Sequence, residues 1–462
     1  MQTVEDFDLV VLGSGEAGKY LAWTLGSQGQ RVAVVERRFI GGSCPNIACL
    51  PSKNVIHTAK VVSYFRHGSE FGLPTIETPV DMTVVRDRKR KMVDGLVEMH
   101  EQKFHSSGAE LIMGSGAFVA PRTIEVTLTA GGTRTLRGKN VVISTGSRAR
   151  IDNTLGLRDA KPLTHIDALE LDQVPPELII LGGGYIGLEM AQAFQRLGSQ
   201  VTIIEKNPTV IHREDSDVTR AVQELFVEEG IRIITGASIE RIEGTSGEQI
   251  KAHIFQSGSF STIEGTHLLV AGGRTPNTDN IGLQLAGIEL ESSGHIHVNN
   301  RLQTTAEGVW AVGDCAGSPH FTHIALDDFR VVRDNLAGID HTTSNRQVPY
   351  CLFIDPELSH VGLSEREAAS QLIPYRRFKI PMVAVLRTRT LGETRGFLKA
   401  LVDTKSDHIL GFTAFGINAG EYLAPIQLAM TAGLPYTMLR DTILTHPTMS
   451  EGLGVLFSSK PN

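Results

Sequence analysis

One arrangement of apolar and polar positions occurs twice in the first half of the chain. In "DLVVLGSGEAGKYLAWTLGSQGQRVAVVERR" a short apolar run predicts a strand, a glycine turn follows, then a helix-like segment, then a second apolar strand ending at Glu36. "ELIILGGGYIGLEMAQAFQRLGSQVTIIEKN" passes through the same order and ends at Glu205. Short apolar runs bounded by turn residues read as buried strands, and their alternation with helices predicts a parallel sheet. "NVVISTGSRAR" (140–150) reads as a buried strand meeting a turn, closing the first unit. "LDQVPPEL" (171–178) is a proline-marked entry to the second unit, and "HLLVAGGRTPN" (267–277) closes it. "GVWAVGDCAG" (308–317) sets Asp314 just after another apolar strand, where a carboxylate can reach a sugar hydroxyl. From about 346 the glycine fingerprints stop and the chain ends in a helix-rich tail. The expected fold is α/β, with two nested Rossmann-like dinucleotide-binding units and a C-terminal α+β unit. The expected divisions are 1–150, 151–275, 276–345 and 346–462.

Gly13, Gly15 and Gly18 have G-x-G-x-x-G spacing, as do Gly182, Gly184 and Gly187, and 23 positions separate the first glycine from the acid in each copy. The spacing alone is weak, because glycines are common in turns; here each copy also has its strand, its helix and its terminal acid. Such glycines allow a tight turn and let a pyrophosphate approach a helix N-terminus, while the acid accepts hydrogen bonds from a ribose hydroxyl. The chain is therefore expected to bind two dinucleotides. At the second copy the Glu205 carboxylate repels a 2′-phosphate and favours NADH over NADPH, an effect that the adjacent Lys206 partly offsets.

Composition narrows the class. The chain has 462 residues, 41% hydrophobic and 21% charged, with a net charge of -7. Mild acidity without a long basic run argues against nucleic acid or an anionic membrane as the main partner. No apolar stretch approaches the ~20 residues needed to cross a bilayer. The acidic start runs straight into a strand, unlike a signal peptide. Four cysteines in this length suggest a reducing cytoplasm.

Two of the four, Cys44 and Cys49, stand in "GGSCPNIACLPSK". In a continuous α-helix residues five apart have Cα atoms roughly 8 to 9 Å apart, beyond the roughly 4.4 to 6.8 Å of a disulfide. Closure needs a distorted first turn, or a first cysteine just outside the helix. Pro45 suits a helix start and predicts Cys44 at the cap, where a thiol has a depressed pKa. A zinc site lacks further Cys or His ligands at matching spacing, and a structural disulfide is a second alternative. A redox-active pair is favoured, since two dinucleotide sites supply an electron source and an adjacent carrier. Cys315 and Cys351 read as small buried hydrophobes.

These segments, with "STGS", "GGRTPN", "AVGDCAG" and "THPTMSEGL", resemble the pyridine nucleotide-disulfide oxidoreductases, the group of dihydrolipoamide dehydrogenase, glutathione reductase and mercuric reductase. The resemblance covers essentially the whole chain. It implies FAD on the first fingerprint, with Glu36 at the adenosine ribose and Asp314 at the ribityl side. Gly42, Ser43, Gly116, Thr145, Gly146 and Thr322 would line the flavin. It implies NADH or NADPH on the second fingerprint, with Tyr185 as an aromatic lid and Ile186 and Gly273 beside it. Cys49 would face the flavin and Cys44 the substrate, with Lys53 near flavin N5 and paired to Glu189. Thr448 and Glu451 taken alone fit a capping box for the last helix. The resemblance instead makes His446 an acid/base oriented by Glu451 and offered to the opposite subunit, so that a homodimer shares its active sites.

Two departures bear on the reaction. Ala48 replaces the glycine that the family usually has before the second cysteine, and Pro45 follows the first. The chain ends "GVLFSSKPN", without the terminal cysteine pair or the CxxC leader of mercuric reductases, so mercury reduction is not the expected role. "GETRGFLKALVD" (392–403) and "HPTMSEGLGVLF" also look like flavoproteins that defend against reactive chlorine species. The expected reaction passes electrons from NADH through FAD and the cysteine pair to a small disulfide or oxidant. The alternatives are dihydrolipoamide dehydrogenase and a protein that reduces or sequesters Hg(II) or Cu(II).

Overall fold

Both fingerprints fold as strand, turn and helix, in a computed structural model that describes residues 3–75 and 79–461. Strands Val4–Leu12 and Val32–Glu36 flank helix Glu16–Ser27. All five residues of Val32–Glu36 are buried, as a parallel strand covered on both faces requires. Val4–Leu12 pairs in parallel with Val32–Glu36 on one side and with Thr133–Ile143 on the other. Val309–Ala311 then adds in parallel to Thr133–Ile143, so the chain returns to its first sheet after a long excursion. Glu110–Ala120, Thr123–Leu128 and Thr133–Ile143 form an antiparallel flap on the same sheet.

The excursion holds the second sheet. Its four strands, in the order His267–Val270, Glu177–Leu181, Gln200–Ile204 and Arg232–Ile234, are all parallel. An antiparallel meander, Ala237–Thr245, Gln249–Gln256 and Ser259–Gly265, lies beside it. The chain enters and leaves this unit through adjacent strands, Ser147–Ala149 and Arg274–Pro276, paired antiparallel with Thr275 opposite Arg148. The C-terminal unit is a five-stranded antiparallel sheet with the helices Leu423–Thr431, Tyr436–Asp441 and Gly452–Ser458. Its strands carry interior residues such as Leu398, Ala400, Phe412 and Ala414, all essentially buried.

Charge ties the units together. The run "RDRKRK" lies on helix Met82–Ser107. From it Arg86 reaches Asp172, while Lys89 and Arg90 reach Glu170. Lys399, on the C-terminal sheet and 2% exposed, donates to Asp215 at 2.8 Å, Asp217 at 2.9 Å and Glu365 at 2.9 Å. Those three carboxylates lie close enough to hold a cation, and the ammonium is that cation. Among the described residues no helix is long and apolar enough to cross a membrane.

Candidate active site

At the first fingerprint, Gly13 has φ +102° and a Cβ there would sit 2.4 Å from the Ser144 carbonyl oxygen. A Cβ on Gly18 would sit 2.4 Å from the Gly13 oxygen, so these glycines let strand, turn and helix close on one another. Helix Glu16–Ser27 starts at Gly15 without a side-chain cap, and helix Tyr185–Leu197 starts the same way at Gly184. Uncapped first-turn N–H groups on helices of this length are donors that an anion satisfies. The space in front of Gly184, and in front of Gly146, is open. These cradles fit two dinucleotides.

Each acid stands at its strand's end. Glu36 Oε2 accepts from the Ser14 N–H at 2.9 Å and hydroxyl at 2.7 Å, and Oε1 from the N–H groups of Arg38 at 2.8 Å and Phe39 at 2.9 Å. Glu205 Oε2 accepts from the Gly183 N–H at 2.6 Å, and Oε1 from Asn207 N–H at 2.8 Å and Nδ2 at 2.5 Å. Glu36 therefore has its four acceptor positions filled by the protein, and Glu205 has one left. Asp314, in the 3₁₀ turn Gly313–Ala316, accepts from the Ser147 hydroxyl, and Arg274 lies 3.6 Å from it. Gly116 differs from the others. Its missing side chain is explained by packing, because a Cβ would meet Leu12 Cδ1 at 2.8 Å, which leaves only its backbone to a ligand. Gly273 carries φ +137°, with the Arg150 guanidinium 3.1 Å from its Cβ position. Ile186 and Gly187 follow Tyr185 in the first turn of helix Tyr185–Leu197, and Gly187 packs on the Gly182 oxygen.

The cysteine segment departs from the expected single helix with Cys44 at its cap. Ser43–Asn46 forms a short turn of its own after Gly42, and Cys49 begins the long helix Cys49–Arg66. Pro51 supplies the reason. It lacks the N–H that a helix through residue 47 needs, and its ring clashes with the carbonyl four residues back, so it is accommodated only in a first turn. The chain breaks at Ile47 and Ala48, and Asn46 ties the turn down by donating to the Ile40 oxygen at 2.9 Å and the Gly42 oxygen at 2.8 Å. Gly42, at φ +82°, packs so closely on Gly15 that a Cβ would lie 2.5 Å from its Cα.

That break sets the two thiols beside each other. Cys44, opposed by burial and assisted by Thr322 and Lys53, draws the Cys49 pKa down to about 6. Cys49, with burial, pushes Cys44 up. Cys49 Sγ lies 3.3 Å from the Thr322 hydroxyl. Its place at the start of an 18-residue helix adds the positive end of the helix dipole. Lys53, one turn on, donates to both oxygens of Glu189 at 2.9 and 2.8 Å. Thr145 and Gly146 lie in the turn between strands Thr133–Ile143 and Ser147–Ala149, where Asn277 donates to the Thr145 oxygen at 2.9 Å.

His446 Nδ1 lies 2.8 Å from Glu451 Oε2, with the ring 65% exposed. The last helix begins only at Gly452, and the Thr448 hydroxyl bonds the Thr445 oxygen at 2.7 Å, so the capping-box alternative does not hold. Among the described residues, the one side chain that His446 bonds is Glu451, and no hydrogen bond joins it to the cysteines of its own chain. Three contributors escaped the sequence reading. The Phe353 N–H donates to Glu189 at 2.9 Å, Lys53 Nζ stands 4.6 Å from the Phe353 ring centroid, and Glu214 accepts from both Tyr185 and Tyr350. No local motif marks them, because each is brought in from a distant strand or loop.

Comparison with known proteins identifies the family. The pyridine nucleotide-disulphide oxidoreductase model matches residues 7–328, and the dimerisation-domain model of the same family matches residues 348–456. RclA of Escherichia coli, a probable pyridine nucleotide-disulfide oxidoreductase, is 35% identical over 98% of this chain and 99% of its own. A mercuric reductase of Lysinibacillus sphaericus is 32% identical over 97% of this chain and 82% of its own. A dihydrolipoamide dehydrogenase of Chaetomium thermophilum is 32% identical, over 97% and 90%. The solved Cu(II) complex of the HOCl-induced flavoprotein disulfide reductase RclA from Escherichia coli superposes with a TM-score of 0.90 at 34% identity, covering 98% and 99%. The chain belongs to the pyridine nucleotide-disulphide oxidoreductase family, as an NAD(P)H-dependent flavin disulfide oxidoreductase with its dimerisation domain.

Proposed function

We propose that this enzyme takes electrons from NADH in preference to NADPH and delivers them, at the Cys44–Cys49 pair, to a small disulfide or oxidant. The observation that carries the reading is the setting of Cys49, at the start of an 18-residue helix, 3.3 Å from the Thr322 hydroxyl and one turn before the Lys53–Glu189 pair, which favours thiolate there and thiol at Cys44. FAD, bound at the first fingerprint, supplies a two-electron carrier between pyridine nucleotide and thiol pair. Gly13, Gly15, Gly18, Gly42, Ser43, Thr145, Gly146 and Asp314 would hold it, with Glu36 shaping the ribose end. Gly182, Gly184, Tyr185, Ile186, Gly187, Glu205 and Gly273 would receive the nucleotide. The Glu205 carboxylate is the feature that favours NADH.

Lys53 keeps positive charge beside the Cys49 thiolate, and Glu189 fixes the lysine. Because Cys44 is a thiol, its attack needs a base, and His446 of the partner subunit, oriented by Glu451, fits that need. The Cys44 proton passes to His446, and Cys44 sulfur attacks one sulfur of the substrate disulfide. The leaving thiolate takes the proton back as the mixed disulfide forms. Cys49 thiolate then attacks Cys44 sulfur, releasing the second substrate thiol with a proton from solvent and closing the Cys44–Cys49 disulfide. The cytoplasm is the compartment whose reducing poise suits such a cycle.

The test is two-electron reduction of the flavin-loaded enzyme, followed by a stopped-flow panel of lipoamide, glutathione disulfide, hypohalous-acid-derived oxidants and Hg(II). A long-wavelength thiolate absorbance should appear and be abolished in Cys49→Ser, with NADH the faster donor. If the band never forms, the redox reading of the pair is wrong. The Cu(II) complex of the Escherichia coli relative favours one second reading, metal-ion reduction or capture at the thiols. It is distinguished by stoichiometric metal binding that survives removal of FAD.

A further inference from the structure

Glu214 is a buried carboxylate to which the chemistry above gives no role. Glu214 lies in the segment between strand Gln200–Ile204 and helix Ser216–Glu228 and is 8% exposed. Its Oε1 accepts the Tyr185 hydroxyl at 2.7 Å and the Tyr350 hydroxyl at 2.7 Å. The donors come from two different units. Tyr185 is the first residue of the helix that follows the second fingerprint, and Tyr350 begins the C-terminal sheet. Their ring centroids are 5.5 Å apart, and Tyr350 stacks on Phe321 at 5.9 Å with planes 4° apart. Phe321 immediately precedes Thr322, the partner of Cys49. Burial, reinforced by the Glu214 charge, pushes both phenols up, so both remain donors. Among the described residues these two phenols are the side-chain hydrogen-bond donors to Glu214.

We propose that Glu214 is a positioning residue that holds Tyr185 and Tyr350 on one carboxylate oxygen and thereby sets how readily Tyr185 yields to the incoming pyridine nucleotide. The proposal rests on the reading of Tyr185 as the lid of the nucleotide site. A ring held by its hydroxyl is displaced only against that bond, and a nucleotide that must displace it binds more weakly by the fraction of time the ring is held. Glu214 acts through Tyr185.

The experiment uses the flavin-loaded enzyme and stopped-flow reduction by NADH, comparing Glu214→Ala, Tyr185→Phe and the double variant. Each single variant should lower the apparent Kd for NADH about fivefold, and the double should go no further, because both remove one bond. Glu214→Gln, whose carbonyl still accepts, should stay closer to the parent. Effects that multiply in the double variant, or an unchanged Kd in Glu214→Ala, overturn the proposal. Should Glu214→Ala fail to retain flavin, Tyr350→Phe replaces it, and a smaller shift in the same direction is required of it. The lid reading fails separately if Tyr185→Ser alters neither the NADH Kd nor the oxygen reactivity of the reduced enzyme.

Discussion

The two thiols titrate apart because a single proton lies between them and the surroundings decide which sulfur keeps it. The neighbouring thiol is the largest influence on each, burial opposes charge on both and Thr322 favours it on both, while Lys53 favours it on Cys49. In enzyme reduced with dithiothreitol, alkylation of Cys49 followed by mass mapping should therefore be flat above a midpoint near pH 6 and fall below it, where the thiolate is protonated. Thr322→Val removes a donor to the charged form and should move that midpoint upward by on the order of one pH unit. An unmoved midpoint would show that the 3.3 Å contact does not act on the sulfur. Both cysteines were visible in the chain because their spacing is local, whereas Thr322 stands 273 positions from Cys49 and reached the sequence reading only through the family resemblance. Phe353 and Glu214 had neither kind of signal.

At the scale of elements, the two cysteine-bearing turns depend on a proline and a glycine. Pro51 starts the long helix late, and Gly42 lets the preceding turn lie against Gly15 of the first fingerprint. Gly42→Ala would place a methyl group 2.5 Å from a backbone carbon at a residue with φ +82°, so one of the two segments must shift. The expected outcome is enzyme purified with a markedly lower flavin-to-protein absorbance ratio, while the C-terminal sheet is retained and sedimentation still reads a dimer. Full flavin content would show that this contact does not shape the cradle. The strand-turn-helix units were legible because their apolar runs and glycines repeat at one period. Pro45 is compatible with a helix start and so marks the break too early in the sequence, whereas Pro51 is the residue with a steric veto over the turn before it. The strands of the C-terminal unit carry little alternation, since its central strands Phe397–Asp403 and Ile409–Gly416 are buried on nearly every residue.

Across the whole molecule, the unit carrying the second fingerprint joins the rest by two adjacent strands and by several sets of ion pairs, Lys53–Glu189, Arg196–Asp355 and Arg395–Glu228 among them. Lys399 is the centre of one set, and burial is offset there by its bonds to Asp215, Asp217 and Glu365. For Asp215 and Asp217 burial raises the pKa, but Lys399 and its neighbours outweigh it and leave both below 3.8. Depressed carboxylates contribute stability above their unfolded pKa and lose it as pH falls through the folded one, so this contribution is complete above about pH 4 and fades in stronger acid. Lys399→Met leaves buried carboxylates short of their cation and should cost about 3 to 5 kcal/mol near neutral pH, read from the urea midpoint of the flavin-loaded dimer. A cost under about 1 kcal/mol would place the cluster among surface pairs. A two-strand stalk holds the nucleotide unit, and ion pairs brace it on the Met82–Ser107 helix and the C-terminal sheet. On the lid reading proposed above, ligand entry would work as a turnstile and not as a closing jaw, and mutations that alter access should concentrate on side chains, not on hinges.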